Sequence, residues 1–168
     1  MTKEEISKAI VECEERLKCL REELNRPEYS GKRWKPKMDE RYFCFTGCGE
    51  VYVNKWCGDN DDEKLYASGN IFPTQAAAEF EVERRKVIAE LSDFADGDDA
   101  VWDNEREHWF MYYGIKSGII KIDFHMMSKC AAMYFPSKEA ALAAIEAVGE
   151  ERVKKYYLEV KNVQHSKA

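Results

Sequence analysis

Apolar residues along positions 3–25 stand at Ile6, Ile10, Cys13, Leu17, Leu20 and Leu24, separated by steps of 4, 3, 4, 3 and 4. That is the a/d rhythm of a coiled coil, and it predicts an N-terminal helix with one apolar seam. Thr2 and Glu5 supply a capping box at its start. Charged residues from Glu12 to Glu23 fill the other face, and Asn25 and Pro27 end it. About three heptads are marginal as an isolated helix in water. The seam must therefore be covered by a second copy in a homodimer, by the chain's own globule, or by another partner.

Beyond the polar, basic stretch 27–39 the period changes. Arg41–Phe45 and Val51–Trp56 have strand propensity and flank the tight-turn sequence Thr46-Gly47-Cys48-Gly49, which predicts a hairpin. Gly58–Asp62 reads as a polar loop, and a third short strand is expected through Leu65–Tyr66 or just before Ile71–Phe72. Thr74 then caps a helix reaching about Phe94. The order repeats. Trp109–Tyr113 and Ile119–Phe124 predict a second hairpin about the Gly114–Gly118 turn, Ala131–Phe135 a third strand, and Ser137 the cap of a helix ending at Gly149. A last helix is expected from Glu150 to about Glu159, followed by a tail.

Ile71-Phe72-Pro73-Thr74 and Tyr134-Phe135-Pro136-Ser137 lie 63 positions apart, and each leads into an Ala-rich run. A unit stated twice bounds architecture more tightly than any lone motif. The predicted fold class is α+β: two duplicated β-β-β-α units with antiparallel sheet, preceded by the coiled-coil-like helix. The boundaries are helix 1–26, basic linker 27–39, first unit 40–95, acidic linker 96–108, second unit with C-terminal helix 109–160, and tail 161–168.

Composition narrows the classes of partner. The chain has 168 residues and a formal charge of −6, so it has no global attraction for nucleic acid or an anionic membrane. The charge is uneven. From Asp93 to Glu107 the acids face only Arg106, and Asp96, Asp98, Asp99, Trp102, Asp103 and Glu105 form a candidate contact for a basic groove on another protein. The same run also reads as a solvated loop. Lys32, Arg33, Trp34, Lys35 and Lys37 combine cations with a stacking ring, as nucleic-acid binders do, and read equally as a linker whose Trp packs on the globule.

Chemistry is thinly marked. Six cysteines include no CxxC pair, and Cys44, Cys48 and Cys57 lack a fourth ligand nearby for zinc. Asp59–Asp62 resembles an EF-hand opening but places Lys64 where the loop needs Gly. No phosphate-binding, metalloprotease or nucleophile-elbow motif is present, and His108 and His125 stand without partners in sequence. The expectation is a non-enzymatic protein using no metal or cofactor. The N-terminus lacks a basic and then apolar leader, and no run approaches the roughly 20 apolar residues that span a bilayer. A cytoplasmic setting with reduced thiols and no membrane contact is expected.

Trp34-Lys35-Pro36, the hairpin from Tyr42 through Gly49-Glu50-Val51-Tyr52 to Trp56, Tyr66 with Gly69-Asn70-Ile71-Phe72-Pro73-Thr74, and Tyr134-Phe135-Pro136-Ser137 with Gly149-Glu150-Glu151-Arg152-Val153-Lys154-Lys155-Tyr156-Tyr157 together carry a resemblance. They resemble a family of small accessory proteins carried by phages and prophages of Firmicutes and related gut bacteria. The resemblance spans residues 1–160, and its motifs are strand ends, caps and aromatics; Cys44, Cys48 and Cys57 depart from it. It implies fold and genomic setting and carries over no catalytic residue. Some phage proteins of this size and acidity are anti-defence factors, including inhibitors of CRISPR-Cas effector nucleases. The implied function is binding of a host defence protein in the host cytoplasm, a type II CRISPR effector nuclease being the partner expected. The alternative is a nucleic-acid-binding accessory module using the Trp34 segment.

Overall fold

Two antiparallel hairpins, each followed by an N-capped helix, organise the chain. The structure is a computed structural model, and it describes residues 2, 10, 13, 14, 16, 17, 33–96, 102–130 and 132–160. In order these form β1 (Arg41–Phe45), β2 (Val51–Lys55), α1 (Asn60–Ala67), α2 (Gln75–Ser92), β3 (His108–Gly114), β4 (Ile119–His125), α3 (Lys138–Val148) and α4 (Glu150–Arg152), the last running into a π-helical turn, Val153–Tyr157. The class is α+β, with β1 paired to β2 and β3 to β4 in separate two-stranded sheets. No helix among the described residues is long and apolar enough to cross a membrane.

Of the N-terminal seam, Ile10, Cys13 and Leu17 are helical and exposed, so at these positions the globule does not cover it. Ile6, Leu20 and Leu24 lie outside the described residues.

The β1–β2 hairpin turns through Gly49, whose φ of 85° lies in the left-handed region. A Cβ there would also stand 3.1 Å from Val82 Cγ1 on α2, so glycine serves both the turn and the close approach.

The third strands predicted before each Pro shrink to one-residue bridges. Phe43 and Phe72 exchange backbone hydrogen bonds of 2.9 and 2.8 Å; Trp109 and Phe135 do so at 3.2 and 2.7 Å. Pro73 and Pro136 follow at once, and a residue with no N–H ends the ladder just before the extended N-caps Thr74 and Ser137. Thr74 Oγ1 accepts from Ala77 N–H at 3.2 Å and Ser137 Oγ from Ala140 N–H at 3.1 Å. Thr74→Ala and Ser137→Ala are each expected to cost ~1 kcal/mol in urea denaturation. Unchanged midpoints in both would remove the caps from the account.

The structure corrects the sequence reading over residues 58–67. Asn60–Ala67 form a helix capped by Asp59, in place of the polar loop expected over Gly58–Asp62 and of the Leu65–Tyr66 placement of the third strand. Asp59 accepts from the N–H groups of Asp61 and Asp62 at 3.0 and 2.9 Å. Asp61, Asp62 and Glu63 then fill the first turn, where the helix dipole favours acids. Asp62 is buried at 3% exposure. It accepts from Tyr42 Oη–H at 2.6 Å, Cys57 N–H at 2.6 Å and Gly58 N–H at 2.9 Å. Burial alone would raise its pKa, but these hydrogen bonds outweigh it and hold the carboxyl below its ordinary range. Burial first, then the Asp62 contact, pushes the Tyr42 phenol far above its own.

The last helix is also shorter and wider than expected. After Arg152 it opens into the π turn, which keeps Val153 fully buried while Tyr156 packs on Phe80 and the Tyr157 hydroxyl accepts from Met133 N–H at 3.1 Å.

The described residues form two cores. Tyr42, Cys44, Trp56 and Ile71 form one, with Trp34, Leu65 and Tyr66 packed against it. Val87, Leu91, Met111, Phe135, Ala141, Ala144, Val148 and Val153 form the other. Helix α2 serves both halves, packing against β1 and β2 and also against α3 and the π turn.

Candidate functional site

Strand β3 follows the acidic segment, and its side chains alternate. Met111 and Trp109, with Ile120 and Ile122 from β4, face the second core. His108, Phe110 and Tyr112 point the other way. At the start of this second face His108 is buried at 4% exposure. Its Nε2 lies 2.8 Å from the Asp103 carbonyl, which can only accept, so Nε2 carries a proton. Nδ1 is 3.9 Å from Asp96 Oδ2, too far for a hydrogen bond. That oxygen is buried and has no hydrogen-bond partner among the described residues, while Arg106 holds Oδ1.

Aromatic rings close around the imidazole. Trp102 stacks on it at 3.7 Å and 16°, and donates Nε1–H to the Met126 carbonyl at 3.0 Å. Tyr134 stands edge-on to Trp102 at 5.1 Å. Burial, and then hydrogen bonding with Cys130, pushes the Tyr134 phenol above its ordinary range. Beside these rings is a cavity of about 470 Å³ lined by Ile88, Asp96, Trp102, His108, Lys129 and Met133 among others. Its walls are more polar than apolar, unlike the mainly apolar lining of typical small-molecule sites. Among the described residues, the only hydrogen bond of the His108 ring is to the Asp103 carbonyl; no nucleophile meets it. Among the same residues no group of three or more His, Cys, Asp or Glu could hold a metal ion.

Further along the face, Phe110 stacks on His125 at 4.5 Å and 9°, and Tyr112 follows at 5.9 Å. Lys121 is the register partner of Tyr112.

The structure separates the acidic candidates. Asp96 turns inward, its side chain 13% exposed and paired with Arg106, so it is not the free surface charge expected of it. Trp102 is half-buried on His108 rather than displayed among the acids. Asp103 and Glu105 are exposed, the Asp103 carboxylate accepting from Glu105 N–H at 2.8 Å. Asp98 and Asp99 lie outside the described residues.

The basic segment is pinned to α1. Arg33 donates to the Tyr66 carbonyl and lies 3.9 Å over its ring. Trp34 is half-buried against the first core. Lys35 pairs with Glu63 at 2.7 Å and lies over the rings of Trp56 and Tyr66. Lys37 is exposed, and Lys32 lies outside the described residues.

Sequence reasoning had given Phe110, Tyr112, Lys121 and Tyr134 no functional role. The signal was present in His108-Trp109-Phe110-Met111-Tyr112, which is aromatic or apolar on both faces of a strand, the pattern of one covered twice. No family model, no curated protein and no solved structure matches this chain.

Proposed function

We propose that this chain is a non-enzymatic binding protein with a macromolecular target, and that a host defence nuclease of the type II CRISPR effector class, met in the host cytoplasm, is the target to test first. The observation that carries binding is the gathering of exposed apolar side chains on one hairpin. Ile115, Ile119, Phe124, Met126 and Met127 are all more than a third exposed. Exposed apolar side chains gathered in this number on one hairpin mark an interaction site more often than singly scattered ones do. Exposed Asp103, Glu105 and Glu107 lead into the same hairpin and supply charge complementary to a basic groove. The phage-family resemblance supplies the nuclease. The finer architecture is part of this reading: the halves are copies of one β-β-β-α unit whose third strand has shortened to a bridge.

The test reverses Asp103, Glu105 and Glu107 to Lys. Such surface changes alter stability by about 0.5 kcal/mol each or less. Association with a basic groove should slow about tenfold or more, and the effect should weaken with salt. The measurement is surface-immobilised nuclease binding plus a DNA-cleavage assay. A folded triple variant that binds and inhibits like wild type removes the acidic segment from the contact. Wild type that neither binds nor inhibits the nuclease sinks the nuclease reading.

A further inference from the structure

The two bridges put the two hairpins in correspondence. Aligning Phe43–Phe72 with Trp109–Phe135 sets Tyr42 against His108 and Cys44 against Phe110. In the first half this face is closed by the chain itself. Tyr42 and Cys44 are 0% exposed beneath Trp56, Trp34 and the α1 residues Leu65 and Tyr66. In the second half the stretch between hairpin and bridge, 126–134, contains no helix among its described residues. Trp102 and Tyr134 cover the His108 end, and Tyr134 also stands edge-on to Phe110 at 6.1 Å. Phe110 is left half-buried and Tyr112 38% exposed.

The uncovered face carries a distinct chemistry. Its rings form a row, His125 on Phe110 and then Tyr112, at 4.5 and 5.9 Å. Lys121 stands opposite Tyr112, and its chain runs beside Gly114, where a Cβ would lie 3.0 Å from Lys121 Cε. Lys116 sits at the hairpin tip and Lys129 at the base, lining the His108 cavity. Among the described residues none of these three lysines has a carboxylate in ion-pair range, whereas Lys35, Lys55, Lys64, Lys86 and Lys154 all do. Asp123 is the one acid in the two strands. Asp123 stands opposite Phe110 on this same face, so on a chain of net charge −6 the three lysines around the aromatic row outnumber one acid.

We propose that the open face of the β3–β4 hairpin is a stacking platform for single-stranded nucleic acid. Bases stack on exposed rings of an open sheet while flanking cations meet phosphates, and such faces hold two or three bases. A duplex keeps its bases stacked on each other and offers these rings nothing. A protein partner is the weaker fit, since interface cores are depleted in lysine. The site is independent of the acidic contact and of the nuclease, and it replaces the Trp34 segment as the location for nucleic acid.

The experiment is fluorescence anisotropy of the full chain with a labelled single strand of about ten nucleotides, against the same sequence as duplex, with no nuclease present. Binding of the single strand in preference to the duplex is expected. Tyr112→Ala should weaken it by about fivefold or more, and Tyr112→Phe, which keeps the ring, should restore it. With three lysines engaged, the log–log salt slope should be about −2, falling toward zero when Lys116, Lys121 and Lys129 become Gln. No binding at low salt, equal binding of the duplex, or a folded Tyr112→Ala variant that binds like wild type overturns the proposal. So does sedimentation showing a dimer that Tyr112→Ala dissociates while no oligonucleotide binds; the face would then be an interface between copies.

Discussion

Asp62→Ala should destabilise the protein by about 3 kcal/mol, far more than an ordinary helix-surface change. The substitution strands a buried phenol, Tyr42, which also accepts from Asn54 Nδ2 at 3.1 Å, and two backbone donors of the turn into α1. Water can reach the exposed Cys57 and Gly58 amides in part, so most of the loss falls on the Tyr42 hydroxyl and the first core. Asp62→Asn should be milder, because an amide oxygen still accepts from Cys57 and Gly58. The pH dependence follows from the direction of the shift. A carboxyl held below its unfolded pKa contributes stability that is complete above that value, about 4, and lost as pH falls through the folded value. Wild type should therefore exceed Asp62→Asn at neutral pH and converge with it in acid. Urea midpoints of the two proteins between pH 7 and pH 3 make the comparison. A gap that stays constant, or widens in acid, contradicts the role given to the carboxylate.

What could be read without the structure follows the range of the interactions. The hairpins and caps are local. Thr74 and Ser137 reach N–H groups three residues on, and each follows a Pro, so type and boundary are legible. Helix α1 was not legible, because its commitment is distant: Asp62 is held by Tyr42, twenty residues earlier. Read locally, Asp59-Asn60-Asp61-Asp62 is indistinguishable from a solvated loop. Asp96 shows the same limit. Its place in an acidic run promised exposure, but Arg106 ten residues later and the buried His108 turn it inward. The aromatic alternation of β3 announced a strand with two apolar faces. Only the topology shows that, among the described residues, one of them lacks a cover, since the first hairpin, of similar pattern, has one.

Phe135→Ala should have the largest single effect, about 4 kcal/mol. The ring is 0% exposed and lies among Val87, Leu91, Met111, Ala141, Ala144, Val148 and Val153. Its backbone holds the bridge to Trp109, and Ser137, two residues on, caps α3, so the cavity opens where sheet, helix and turn meet. The cost should not stay in the second half. Helix α2 sends Val87 and Leu91 into this core and packs its other end on the first hairpin, where Val82 approaches Gly49. Loosening one end of an 18-residue helix loosens its hold on the other. Amide exchange reads this directly. In Phe135→Ala the amides of residues 42–45 should exchange faster along with those of 109–113, and denaturation should remain a single transition at lower urea. If β1 keeps its wild-type protection while β3 loses it, the halves are independent folding units and α2 does not couple them.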